Sequence, residues 1–169
     1  ATAELDPCEL EIRLHCGARL VITMLPATED DARELAPLLR AEDRAEVLAL
    51  GVDPFYGLLQ SVAASREAWT YRDDGQIICM AGVAPLSLIG STGIPWLLSS
   101  PLVATHRRAF MVETRRTLAH WLTMFDVLRN VVDAQYEAAV RWLRWLGFKI
   151  GEPFRLAHGQ FRVVHMGAA

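Results

Sequence analysis

The segment "ELEIRLHCGARLVITM" places Leu10, Ile12 and Leu14 on one side of an extended chain, breaks at Gly17 and resumes at Leu20. Alternation of this kind marks half-buried strands, so two strands joined by a turn are expected. The period then changes. Thr28 and Asp31 stand at capping-box spacing, and Ala32, Leu35, Leu38 and Leu39 follow at helical intervals. Pro37 should kink or end that helix, because it has no amide to donate. "RAEDRAEVLALG" predicts a second helix stopped at Gly51, and Asp53-Pro54 supplies a cap and a first-turn proline for a third.

Strand-like runs return in "AWTYRDDGQIICMAGVAP", where Asp74-Gly75 is a strong hairpin signal and Pro85 closes the second strand. "SLIGSTG" reads as a loop. "IPWLLSS" reads as a short apolar strand whose Pro95 belongs near its start or on an edge without a ladder partner. A long helix is expected over residues 104–125, with Phe110, Thr114, Leu118, Trp121, Leu122 and Phe125 along one side. "VLRNVVDA" is a compact buried strand, and "YEAAVRWLRWLG" a helix ending at Gly147, a residue suited to a left-handed cap. Within that helix Trp142 and Leu146 share a face and Trp145 falls off it. "FKIGEPFRL" and "GQFRVVHM" close the chain as two strands.

Composition narrows the function classes. The 169 residues are 52% apolar and 22% charged, with no repeat, low-complexity tract or linker, which predicts one domain with a real core over residues 1–169. Residues 1–18 read as either an extra N-terminal strand or an appended segment. No stretch approaches the roughly 18 uninterrupted apolar residues of a membrane helix, so an intracellular, cytoplasmic protein without a membrane partner is expected. Three cysteines fit a reducing compartment, and Cys79 reads as a small buried hydrophobe. Cys8, His15 and Cys16 match no ligand spacing, so no metal is expected.

Charge is unevenly spread: residues 1–80 carry 15 acidic and 7 basic side chains, residues 81–169 carry 5 and 10. An anionic ligand is therefore expected on the C-terminal half, near Arg107, Arg108, Arg115 and Arg116. The absence of a long basic run or interleaved aromatics argues against nucleic acid.

The order of strand, helices, hairpin, strand, helix, strand, helix and two strands resembles the GNAT superfamily of acyl-CoA-dependent N-acyltransferases. "AAVRWLRWLGFKIGEP" is similar to that family's closing helix, Leu-Gly-Phe and edge strand. Together with "LLRAEDRAEV", "GIPWLLSS" and "RNVVDA", it resembles a subgroup from tailed phages and prophages that includes an internal virion core protein. The likeness spans residues 20–157. It implies an α/β, layered α+β fold: a mixed, mostly antiparallel sheet flanked by helices, with one splayed central strand pair.

In that family the strands before and after the long helix diverge, and the pantetheine arm of the cofactor makes strand-like hydrogen bonds in the wedge. Here those strands fall at residues 94–99 and 127–133, with the pyrophosphate on the next helix start. The resemblance thus implies acetyl-CoA or another acyl-CoA held by Leu97, Leu98, Ser99, Ser100, Thr105, His106, Arg107 and Arg108, with an amine as acceptor. Two departures stand out. The family's glycine-containing pyrophosphate loop is replaced by "SSPLVATHRRAF", and its tyrosine acid falls on Leu143, which cannot donate a proton.

Tyr136, at the family's asparagine position, is the substitute acid; Asp133, His106 and Glu113, or water alone, are the candidate bases. Tyr136 can equally be a core or surface residue, and Asp133 a helix cap. His120, His158 and His165 read as structural. The rival expectation is a non-enzymatic virion or interaction protein that fills the wedge with Trp96, Leu98 or Trp142 and exposes an apolar patch. Edge strands leave open the pairing of two copies.

Overall fold

The computed structural model describes residues 8–13 and 19–167, with side chains from Ile22 onward. Strands β1 (Cys8–Arg13) and β2 (Arg19–Pro26) form the expected antiparallel pair, with Leu10 opposite Ile22. The turn at Gly17 lies outside the described residues. Helix α1 (Glu29–Leu38) starts at a complete capping box: Thr28 Oγ1 accepts from the Asp31 amide, and Asp31 Oδ2 accepts from the Thr28 amide. It ends one residue past Pro37, as a proline without an amide requires. Helices α2 (Ala41–Ala49) and α3 (Pro54–Ala64) follow, the latter capped by Asp53 Oδ1 on the amides of Phe55 and Tyr56.

Strands β3 (Glu67–Asp73) and β4 (Gln76–Pro85) turn through Asp74-Gly75, both at positive φ (46° and 77°), as a tight hairpin needs. Strand β5 (Thr92–Ser99) starts two residues earlier than expected. The next helix starts later than expected. A short 3-10 turn at Pro101–Ala104 comes first, and α4 (Arg107–Met124) follows with His106 at its N-cap. Strand β6 (Val127–Asp133), helix α5 (Glu137–Leu146) and strands β7 (Lys149–Leu156) and β8 (Gly159–Gly167) complete the chain. Gly147 ends α5 at φ 102°, the left-handed cap that a side chain would strain.

All eight strands join one sheet in the order β1-β2-β3-β4-β5-β6-β8-β7, antiparallel except at β5–β6. Helices α1 and α3 cover one face, burying Leu35, Leu58 and Met80 completely. Helices α4 and α5 cover the other, where Leu118, Trp121, Val140 and Leu146 pack on Ala81, Val83, Leu128 and Val164. Burial of side chains this size stabilises by roughly 1.5–3 kcal/mol each, so the two layers hold the sheet between them. Among the described residues, no single helix is long and apolar enough to cross a membrane.

Candidate active site

The site is built where the sheet splits. Strands β5 and β6 run parallel but pair only at Thr92–Val127 and Gly93–Leu128. Gly93 is needed at this apex: a Cβ there would come within 2.8 Å of the Phe125 ring. Beyond it the strands diverge. A cavity of about 1090 Å³ opens between them, lined by residues of α2, α3, α4 and α5.

Backbone groups orphaned by the split must find other partners. On β5, the amide of Ser100 bonds Ile78 of β4, so even-numbered residues face β4 and odd-numbered ones face the gap. Pro95, whose missing amide would point into the gap, loses nothing there. Its carbonyl accepts from Asn130 Nδ2 on β6 at 2.7 Å, and Asn130 Oδ1 accepts from the Val131 amide at 2.8 Å. At the wide end, Asp43 Oδ2 accepts from both the amide and the hydroxyl of Ser99 at 2.8 Å, while the Ser99 carbonyl accepts from the Arg40 amide. Across the gap, Glu46 Oε1 accepts from the Asp133 amide at 2.6 Å. Helix α2 therefore spans the open end, one acid on each strand. Leu97, between Pro95 and Ser99, keeps its amide and carbonyl turned into the gap.

The expected cofactor residues divide into three groups. Leu97 offers gap-facing backbone, whereas Leu98 pairs its backbone with Met80 of β4 and brings only its side chain to the cavity. Ser99 and Ser100 are buried and engaged: Ser99 on Asp43, Ser100 Oγ on the carbonyls of Ile77 and Ile78. Thr105 Oγ1 donates to the Leu102 carbonyl, and His106 Nε2 lies 3.2 Å from Asp73 Oδ2. Arg107 is exposed and faces the cavity; Arg108 is exposed and does not line it. The first amides of α4 are those that any helix start leaves without a helical partner.

Of the proton-transfer candidates, Tyr136 sits at the N-cap of α5 and lines the cavity, its ring 5.9 Å from the Arg40 guanidinium carbon. Burial pushes its phenol up to about 12, against the pull of Arg40. Leu143 also lines the cavity, packed against the core. Asp133 is turned away from it: its Oδ1 accepts from the Gln135 amide in a turn before α5, three residues short of the capping position at Tyr136. Glu113 faces the cavity from α4; its Oε2 is buried without a hydrogen bond, with Arg116 Nη1 3.9 Å away, and burial raises its carboxyl above the usual range against the pull of Arg116. Trp142 Nε1 is likewise buried without a partner, its ring stacked on Phe110 at 5.2 Å.

Trp96 does not plug the gap; its Nε1 donates to Ser65 Oγ on the α3 face. Trp145, half exposed, is covered by the Arg115 guanidinium at 3.9 Å. His120 has the partner that its sequence neighbourhood hides, Glu67, at 3.1 Å. Cys79 is a buried hydrophobe whose thiol is pushed up to about 12 by burial. Among the described residues no group of three metal-ligating side chains occurs.

Sequence reasoning missed Arg40, Asp43 and Glu46. Arg40 grips Asp43 through Nε and Nη2, and burial pushes the Glu46 carboxyl up to about 7, with Asp43 and Asp133 adding to the rise and the Asp133 amide and Arg40 opposing it. "RAEDRAEV" carries these residues, but nothing local distinguishes them from a solvated helix face.

A mixed sheet with helices on both faces and one splayed parallel pair ahead of the closing helix defines a class: the fold is that of the GNAT acetyltransferases. The GNAT domain of PAT from S. lividans superposes with a TM-score of 0.68 at 13% identity, over 95% of this chain and 97% of that one. A spermidine N-acetyltransferase from Vibrio cholerae, solved with CoA and spermine, gives 0.63 at 13% identity, over 86% and 95%. An uncharacterised Bacillus halodurans protein gives 0.68 at 10% identity, over 95% and 90%. No family model matches the chain, and no curated protein sequence does.

Proposed function

We propose that the protein is an acyl-CoA-dependent N-acyltransferase that binds the thioester in the β5–β6 wedge and passes its acyl group to an amine. The observation that carries this reading is the split beyond Gly93 and Leu128, which leaves the Leu97 amide and carbonyl open to a ligand that can pair like a strand. The fit extends to side chains. Trp142 Nε1–H lacks an acceptor and Glu113 Oε2 lacks a donor, and both face the α4–α5 side of the cavity. An amide of the pantetheine arm carries the complementary pair.

At the pyrophosphate end the fit is narrower than the family pattern. With no glycine in the loop and the hydroxyls of Ser99 and Ser100 already engaged, phosphate binding falls to the first amides of α4 and to Arg107. Bound acyl-CoA supplies an activated carbonyl. The Leu97 amide would polarise that carbonyl and hold the oxyanion formed when the amine attacks. With a pKa of about 12, the Tyr136 phenol stays protonated and acts as a hydrogen-bond donor toward the departing sulfur rather than as a strong acid. Proximity supplies much of the remaining acceleration.

Acetyl-CoA should raise the melting temperature of the purified protein. Arg107→Ala should reduce the shift and Arg108→Ala should leave it, because only Arg107 lines the cavity. No shift at millimolar acetyl-CoA would remove the reading and favour the non-enzymatic interaction protein. The phage or prophage type, virion partners, a host-cytoplasmic location and pairing of two copies rest on the likeness over residues 20–157. Co-purification with virions would test the first two.

A further inference from the structure

Every acid around the wedge but two is spent. Asp43 Oδ1 holds Arg40 Nη2, and its Oδ2 holds Arg40 Nε and both donors of Ser99. Asp133 points away from the cavity into its own turn. That leaves Glu113 on α4 and Glu46 on α2, both lining the cavity. Glu113 stands one helical turn beyond the Phe110–Trp142 stack, among the groups assigned to the pantetheine arm. Glu46 stands at the strand ends. Its Oε1 is fixed by the Asp133 amide at 2.6 Å; its Oε2 meets no hydrogen-bond donor among the described residues, in a side chain that lines the cavity.

The position matches the chemistry. Asp43 and Glu46, three residues apart on α2, attach to opposite strands of the wedge, so Glu46 stands across its open end. Ser99, which α2 reaches through Asp43, is only two residues from Leu97, about 7 Å along a strand. An amine approaching a carbonyl held at Leu97 from that open end would pass Glu46.

We propose that Glu46 is the catalytic base, taking the proton from the attacking amine at Oε2 and returning it to the sulfur that leaves. The inference rests on the acyltransferase reading above. The steps balance without a further acid. The amine lone pair forms the C–N bond, the N–H proton passes to Glu46, the C–S bond breaks, and the sulfur receives that proton through cleft water as CoA thiol. An ordinary thiol titrates near 8.5, above the value of about 7 at Glu46, so the return runs downhill. Arg40 does not quench the base, since Asp43 occupies its guanidinium; Asp43, Asp133 and the neutral phenol of Tyr136 are the other groups facing it. One carboxyl then does the work that the family divides between a base and the tyrosine absent at Leu143.

The test uses the full chain with acetyl-CoA, with water and with spermine as acceptors, following thiol release from pH 5.5 to 9. Wild type should show a rising limb with an apparent pKa near 7. Glu46→Gln, which keeps the Asp133 contact, should lose roughly 10²-fold or more in rate together with that limb, while its acetyl-CoA thermal shift is unchanged. Glu46→Ala should recover rate on addition of formate, a readout that a merely structural role would not produce. The proposal is overturned if Glu46→Gln keeps the rate and limb, if Glu113→Gln abolishes the limb instead, or if wild type binds acetyl-CoA but releases no thiol with either acceptor. If wild type binds no acetyl-CoA, the acyltransferase reading fails first and this one with it.

Discussion

Strand β5 has two neighbours and treats them differently. Against β4 it pairs along its length, from Pro85–Gly93 to Cys79–Ser99, and β4 is buried at every position between its two ends. Against β6 it pairs at two positions and then parts. The closed seam is satisfied by backbone alone. In the open seam, three side chains take over the backbone's hydrogen bonds: Asn130, Asp43 and Glu46. A sheet can thus be split for a ligand when polar side chains satisfy part of the backbone exposed by the split and other groups, among them those of Leu97, are left open.

The largest effect should come from Asp43→Ala. It strips Ser99 of its acceptor and leaves Arg40 unpaired, so chemical denaturation should show a loss of about 3 kcal/mol, the low end for a broken buried pair because Arg40 keeps some solvent access. A loss near zero would mean that the wide end is held by something else. Asn130→Ala should cost less, about 1–3 kcal/mol, by leaving the Pro95 carbonyl and the Val131 amide without partners. Were the strands free to close and pair, that cost would vanish, and the comparison between the seams would fail.

The smallest effect concerns pH. The Glu46 carboxyl is raised from 4.5 to about 7 on folding, so the folded state binds its proton more tightly than the unfolded chain does. Stability from this group is full below about 4.5 and is lost as pH rises through about 7. Glu46→Gln should therefore flatten the fall in melting temperature between pH 5 and 8 and be relatively more stable than wild type at the upper end. A parallel pair of pH curves would place the raised titration elsewhere.

Legibility in the sequence followed the range of the interaction. The Thr28–Asp31 box, the Asp53-Pro54 helix start, the Asp74-Gly75 hairpin and the Gly147 cap each need only residues within a few positions, and each was readable. The wedge strands were readable through family likeness. The groups that hold the wedge open were not: Asp43 meets Ser99 across 56 residues and Glu46 meets Asp133 across 87. Neither pair leaves a trace in periodicity. Ser99 and Ser100 illustrate the converse, since hydroxyls beside a helix start suggest phosphate until the fold gives them internal partners.

Taken alone, the order of residues determined the helices, strands and turns, because those depend on neighbours along the chain and on the side each residue presents. It also determined that no tyrosine could stand at position 143 and that no glycine would shape the loop before α4. Only the tertiary structure decided which acids were spent and which stayed open. A carboxyl's partners and its burial, and through them its affinity for a proton, are set by elements brought together from distant parts of the chain.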